Sequence, residues 1–179
     1  MTDWVRWTMP AAAMLSAASP AQAVQYLTVS AAQKLAFPGA SQFIEAHVIY
    51  QPSDVQAIER LSGQRVQTRG EQVWKAVAGN GLLGFFILDY VIGKHLVIDY
   101  AVSLDSGGTV RRVDILEYRE SYGGEVRNRG WLAQFVGKTS RSPLEINKDI
   151  RNISGATLSS RHVTEGIKKV LALYAVRLR

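Results

Sequence analysis

The chain has 179 residues, 47% of them hydrophobic, which suits one compact domain with a sizeable core. It contains no cysteine, so a disulfide framework, a cysteine-ligated metal site and a cysteine nucleophile are excluded. The formal net charge is +6, yet no run of like charge exceeds two residues, and nucleic acid is not an expected partner.

The first 23 residues differ in kind from the rest. Arg6 precedes a small, apolar stretch from Thr8 to Ala18, and Ser19-Pro20-Ala21-Gln22-Ala23 contains an Ala-x-Ala cleavage pattern. This predicts a secretory signal cut after Ala23. Loss of Asp3 and Arg6 would leave the mature charge at +6. No apolar run reaches the ~18 residues of a membrane-spanning helix.

A short helix is expected over 29–35, ended by Phe37-Pro38-Gly39-Ala40. Residues 43–50 read as a strand. Pro52-Ser53-Asp54 starts a helix whose apolar positions Val55, Ile58 and Leu61 share one face, and Gly63 ends it. Four strands follow: a loosely alternating one over 71–77, the very apolar run 82–91, then 95–103 and 109–118. Their junctions are Gly79-Asn80-Gly81, Gly93-Lys94 and Asp105-Ser106-Gly107-Gly108, which suits consecutive antiparallel strands. Trp131 to Phe135 suggests a short helix with both aromatics on one face. Residues 137–148 are polar and loop-like. Val163, Ile167, Val170, Leu171 and Tyr174 recur at helical spacing, giving an amphipathic C-terminal helix. The fold class is therefore α+β: an antiparallel sheet, short flanking helices and a closing helix, with 24–179 as a single domain.

Ile153 to Ser160 stands just before that last helix. A helix start offers unpaired N–H groups and a positive dipole end, which suit a phosphate. Gly155 and Ala156 allow close backbone approach, and Thr157 offers a hydroxyl that can be esterified. Spacing alone equally fits an ordinary turn and N-cap.

Ser154-Gly155-Ala156-Thr157, with Ser159 and Ser160 after it, resembles the flavinylation motif of the FMN-binding domain family. That family includes the C subunit of sodium-pumping NADH:quinone reductase and the G subunit of the Rnf complex. The resemblance implies FMN joined through a phosphoester to Thr157, with Ser154, Gly155, Ala156, Leu158 and Ser159 around it. It also implies a flavin transferase of the ApbE type that makes the bond from FAD. The family's leading acid falls at Arg151, and the nearest acid is Asp149. Upstream, Glu120-Ser121-Tyr122-Gly123-Gly124 resembles the family's Glu-Thr-Pro-Gly-x-Gly segment, which implies that Glu120, Ser121, Gly123 and Gly124 lie beside the flavin. Trp131 and Phe135, followed by Gly137-Lys138, also fit the pattern and would wall the ring. Read alone, they are core aromatics.

The resemblance thus implies an exported, periplasmic electron carrier or redox subunit, not a stand-alone enzyme. Its partners would be a membrane electron donor and an acceptor that the sequence does not identify. Two alternatives are a non-covalent FMN protein, motivated by Arg151, and a cofactor-free periplasmic binding or assembly module. His47, His95 and His162 share no metal-ligand spacing, so no metal site is expected. Arg111, Arg112, Arg119, Arg127 and Arg129 cluster around the glycine pair. They suit an acidic redox partner, the flavin phosphate, or simple solvated strand faces.

Overall fold

A computed structural model describes residues 24–79, 81–120 and 122–179. The expected signal sequence lies outside the described residues, as do Asn80 of the expected turn and Ser121. Two strands and a helix open the described chain: β1 (Val24–Gln25), α1 (Val29–Ala36) and β2 (Gln42–Glu45). β3 (Val48–Ile49) and α2 (Pro52–Ser62) follow. Then come β4 (Gly70–Ala78), β5 (Gly81–Ile92), β6 (Val97–Asp105) and β7 (Val110–Tyr118). A 3₁₀ turn (Gly124–Arg127), α3 (Arg129–Leu132), a second 3₁₀ turn (Ala133–Phe135) and α4 (Thr157–Leu173) complete the order, and α4 ends in a wider π turn.

Every strand pairing is antiparallel, and the sheet order is β1-β7-β6-β5-β4-β2, with β3 also on β4. The expected α+β class is what forms. The run 43–50 is not one strand. β2 pairs with Trp74–Val77 and β3 with Gly70–Glu71. At the break between them, His47 Nδ1 accepts the Val73 N–H at 3.3 Å, so an imidazole replaces one backbone acceptor of the ladder. β1 has too few residues for its periodicity to be read.

Alternation along the strands sends successive side chains to opposite faces. Phe85, Ile87, Tyr100, Val102 and Ile115 join Ile58 of α2 and Val163, Ile167, Val170 and Leu171 of α4 in one core. Phe86, Ala101 and Leu116 join Ala32, Ala36 and Phe37 in a second core under α1. Both faces of the central strands are covered, and that is why β5 is apolar almost throughout.

Candidate functional site

The C-terminal helix starts at Thr157, and Ala156 is its N-cap, with no side chain capping the first turn. Alanine is a poor N-cap, and among the described residues no side chain competes for the helix's leading N–H groups. Gly155 precedes it at φ +84°, a left-handed turn that L side chains resist.

The hydroxyls of this segment sort by burial. Ser159 and Ser160 are buried. Ser160 Oγ donates to Asn152 Oδ1 at 2.9 Å and to the Thr157 carbonyl at 3.1 Å, and Ser159 Oγ lies 3.2 Å from the Tyr118 hydroxyl. Thr157 is exposed, and among the described residues its hydroxyl meets only Asn152 Nδ2, at 3.4 Å.

A cavity of about 610 Å³ opens in front of Thr157, within the ~300–1,000 Å³ usual for small-molecule sites. The helix start forms one side, from Gly155 to Ser159. The turn Lys94-His95-Leu96 forms another, and Glu120, Tyr122 and Gly123 complete it. Gly123 sits at φ +89°, and a Cβ there would stand 2.6 Å from the Tyr118 hydroxyl and 3.0 Å from Ser159 Oγ. Only glycine lets the backbone run this close to the helix start. Leu96, Tyr122 and Leu158 are 40%, 87% and 42% exposed and all line the cavity, giving it an apolar rim.

Glu120 fixes the geometry of the turn. Its Oε1 accepts the His95 N–H at 2.5 Å and the Leu96 N–H at 3.0 Å. Burial pushes its pKa up, but the N–H groups of Leu96, His95 and Lys94 outweigh burial and hold it below the usual glutamate value. The carboxylate is therefore ionised at neutral pH and latches the β5–β6 hairpin to the cavity wall.

Of the residues that the sequence singled out, Gly155, Ala156, Thr157, Leu158, Ser159, Glu120 and Gly123 converge on this cavity. Ser154 is exposed beside it, and Gly124 opens the first 3₁₀ turn; neither lines it. Trp131 and Phe135 are not in the cavity wall either. They pack edge to face at 5.1 Å inside the main core, at 6% and 0% exposure. Trp131 Nε1 donates to the Arg151 carbonyl at 2.7 Å, so the pair supports the strand of chain leading to the motif from beneath. Both aromatics are more useful to the core, where they lose more water-exposed area than a cavity wall would allow.

Asp149 does not approach Thr157. It accepts Lys138 Nζ and the Glu145 N–H, each at 2.8 Å, and organises the loop before the motif. Burial raises its pKa, but the Glu145 N–H and Lys138 outweigh it. Arg151 is exposed, with its N–H on Gln134 Oε1 at 2.9 Å. His162 is no free surface residue: Nδ1 donates to the Ile92 carbonyl at 2.6 Å and clamps α4 to the end of β5. Among the five arginines, none lines this cavity, and Arg119 is paired with Asp99 and Glu117 at 2.7 Å.

Sequence reasoning missed Lys94, His95 and Leu96, read only as a hairpin turn, and passed over Asn152. An exposed leucine in a turn was the one available signal for the first group. Their proximity to Thr157 is set by strand register across β5 and β6, which no local pattern encodes.

The arrangement suits a flat aromatic ring with a phosphate tail. It provides an apolar rim, a glycine-built approach, and a helix start free to receive an anion. Residues 93–172 match the family model described as the FMN-binding domain. A comparison with curated proteins gives no match. Among solved structures, NqrC of Shewanella oneidensis is similar at a TM-score of 0.47 and 12% identity, covering 88% of this chain and 83% of that one. The matched residues 93–172 include the whole lining of this cavity, and the match supports FMN as the cofactor.

Proposed function

We propose that the protein is an exported electron-transfer flavoprotein whose FMN is joined through its phosphate to the Thr157 hydroxyl. The observation that carries this reading is the sorting of hydroxyls. Thr157 is exposed, is held among the described residues by a single long contact and lies on the cavity, whereas Ser159 and Ser160 are buried and hydrogen-bonded. A transferase can reach the first and not the other two.

A flavin, when bound, supplies one- and two-electron chemistry. The chain's own residues would hold and shape it. The uncapped start of α4 receives the phosphate, Leu96, Tyr122 and Leu158 shield the ring from water, and Glu120 keeps the facing turn in place. Covalent attachment suits export, because a dissociable cofactor would be lost by dilution outside the cytoplasm. In this reading residues 1–23 are the export signal, 24–179 the mature periplasmic domain, and the protein works as a carrier or redox subunit. Its partners are a flavin transferase of the ApbE type, a membrane electron donor and an electron acceptor.

The test is the intact mass of the full chain made with and without a flavin transferase. One FMN retained after denaturation is the expected result, and Thr157→Ala should abolish it. Flavin that is bound but lost on denaturation would instead establish a non-covalent site, the outcome that Arg151 at the motif's acidic position makes worth checking.

A further inference from the structure

A second recess, of about 620 Å³, lies at the other end of β7 and shares no lining residue with the flavin cavity. Five consecutive residues, Arg111 to Ile115, line it. Neighbouring strand residues point to opposite faces, so what these five have in common is the backbone edge of the strand. That edge is open. β1 covers β7 only at Glu117 and Tyr118, and the chain leaves after Tyr26 and Leu27 bond to the Leu116 carbonyl to enter α1. At the far end, Gly137 and Lys138 bond to Val110. Among the described residues, no strand pairs with the outer edge from Arg111 to Ile115.

The walls are as specific as the floor. Leu35, Ala36 and Pro38 border it on the α1 side, and Leu132, Ala133 and Val136 on the other. Arg127 and Arg129 stand over it, together with Arg111, the extra residue where register shifts between Ser103 and Leu104. Arg111 lies over the Phe37 ring at 5.1 Å and Arg127 over Tyr26 at 4.6 Å, so both guanidiniums are positioned in advance. Arg112 is neutralised by Asp114 at 2.5 Å, but among the described residues Arg111, Arg127 and Arg129 have no carboxylate partner.

We propose that the Arg111–Ile115 edge of β7 docks an extended, acidic segment of a partner protein, which adds to the sheet as one more strand. Alternate residues of the edge would exchange backbone hydrogen bonds with the segment, and the three free arginines would select carboxylates beside them. Apolar side chains of the segment would meet the two walls. The site is separate from the flavin cavity, and the proposal does not depend on how FMN is held.

The probe is acetyl-Glu-Val-Asp-Val-Glu-amide, titrated into the isotope-labelled full chain and followed by amide NMR shifts and hydrogen exchange. Shifts and new protection centred on residues 111–115 are expected, weakening as salt is raised. A copy of the peptide N-methylated at alternate residues should bind at least about tenfold more weakly, and so should a copy with lysine at the acidic positions. Arg127→Glu with Arg129→Glu should produce the same loss with an unchanged spectrum elsewhere. The proposal is overturned by an absence of shifts at about 1 mM peptide, by shifts confined to residues 94–96 and 155–159, or by equal binding of the N-methylated copy. That last result would mean that the recess takes an anion without adding a strand.

Discussion

One helix, α4, serves two opposite environments. Its first turn is uncapped, half-open and rimmed by exposed apolar side chains, and its polar groups are left for something outside the chain. Three turns on, Lys169 is buried and fully occupied. Its Nζ sits 2.9 Å from Asp89 and 3.1 Å from Glu71, Asp89 also accepts the Tyr100 hydroxyl, and Thr68 bonds to Glu71 at 3.1 Å. Gly166 makes room for this cluster, because a Cβ there would stand 2.1 Å from the Tyr100 hydroxyl. The contrast teaches that exposure and lack of partners, not the presence of polar residues, separate a ligand site from internal scaffolding. Burial alone would depress Lys169, but Asp89 and Glu71 outweigh it and raise its pKa. Glu71 is pushed up to about 7, first by burial and then by Asp89, so two carboxylates share one ammonium and one of them holds a proton near neutrality.

The contrast breaks most visibly at Lys169. Lys169→Met should cost about 3–5 kcal/mol in urea unfolding, because it strands two buried carboxylates. Gly166→Ala comes next, at about 1–3 kcal/mol, as the methyl forces Tyr100 or α4 to move. The pH dependence of the same cluster has a definite sign. Glu71 in the folded state keeps a proton that the unfolded chain releases above 4.5, so its contribution is complete below pH 4.5 and is lost as pH rises through about 7. Unfolding at pH 5, 6, 7 and 8 should show that decline, and Glu71→Gln should flatten it. At the flavin end the effects on stability shrink. Glu120→Gln should cost about 0.5–1.5 kcal/mol, since the amide still accepts the turn's N–H groups without the charge. Thr157→Ala should move stability by no more than about 0.5 kcal/mol while removing all denaturation-resistant flavin. A large destabilisation by Thr157→Ala would instead place Thr157 in the scaffold.

Much of the fold was legible because periodicity and turn chemistry act locally. The expected helix from 29 appears as α1, the 55–61 pattern as α2, and the three hairpin signals separate β4 to β7. The split of 43–50 into two strands was not legible, because it depends on His47 reaching Val73, 26 residues away. Local chemistry also marked the glycines and hydroxyls near Thr157. The resemblance would set Trp131 and Phe135 against the ring, whereas read alone they are core aromatics, and the core is where they pack; spacing does not separate the two, because a Trp and a Phe four residues apart look the same in sequence whether they face a cavity or the core.

The sequence by itself determined the α+β class, the amphipathic closing helix and the motif that begins it, since each follows from spacing along the chain. Tertiary structure alone decided which hydroxyl is exposed, brought Lys94 to Leu96 opposite Thr157, and left Arg111 to Ile115 without a further strand among the described residues. Those outcomes are set by strand register and by where α1 leaves the sheet, and both are fixed by packing between residues distant in the chain.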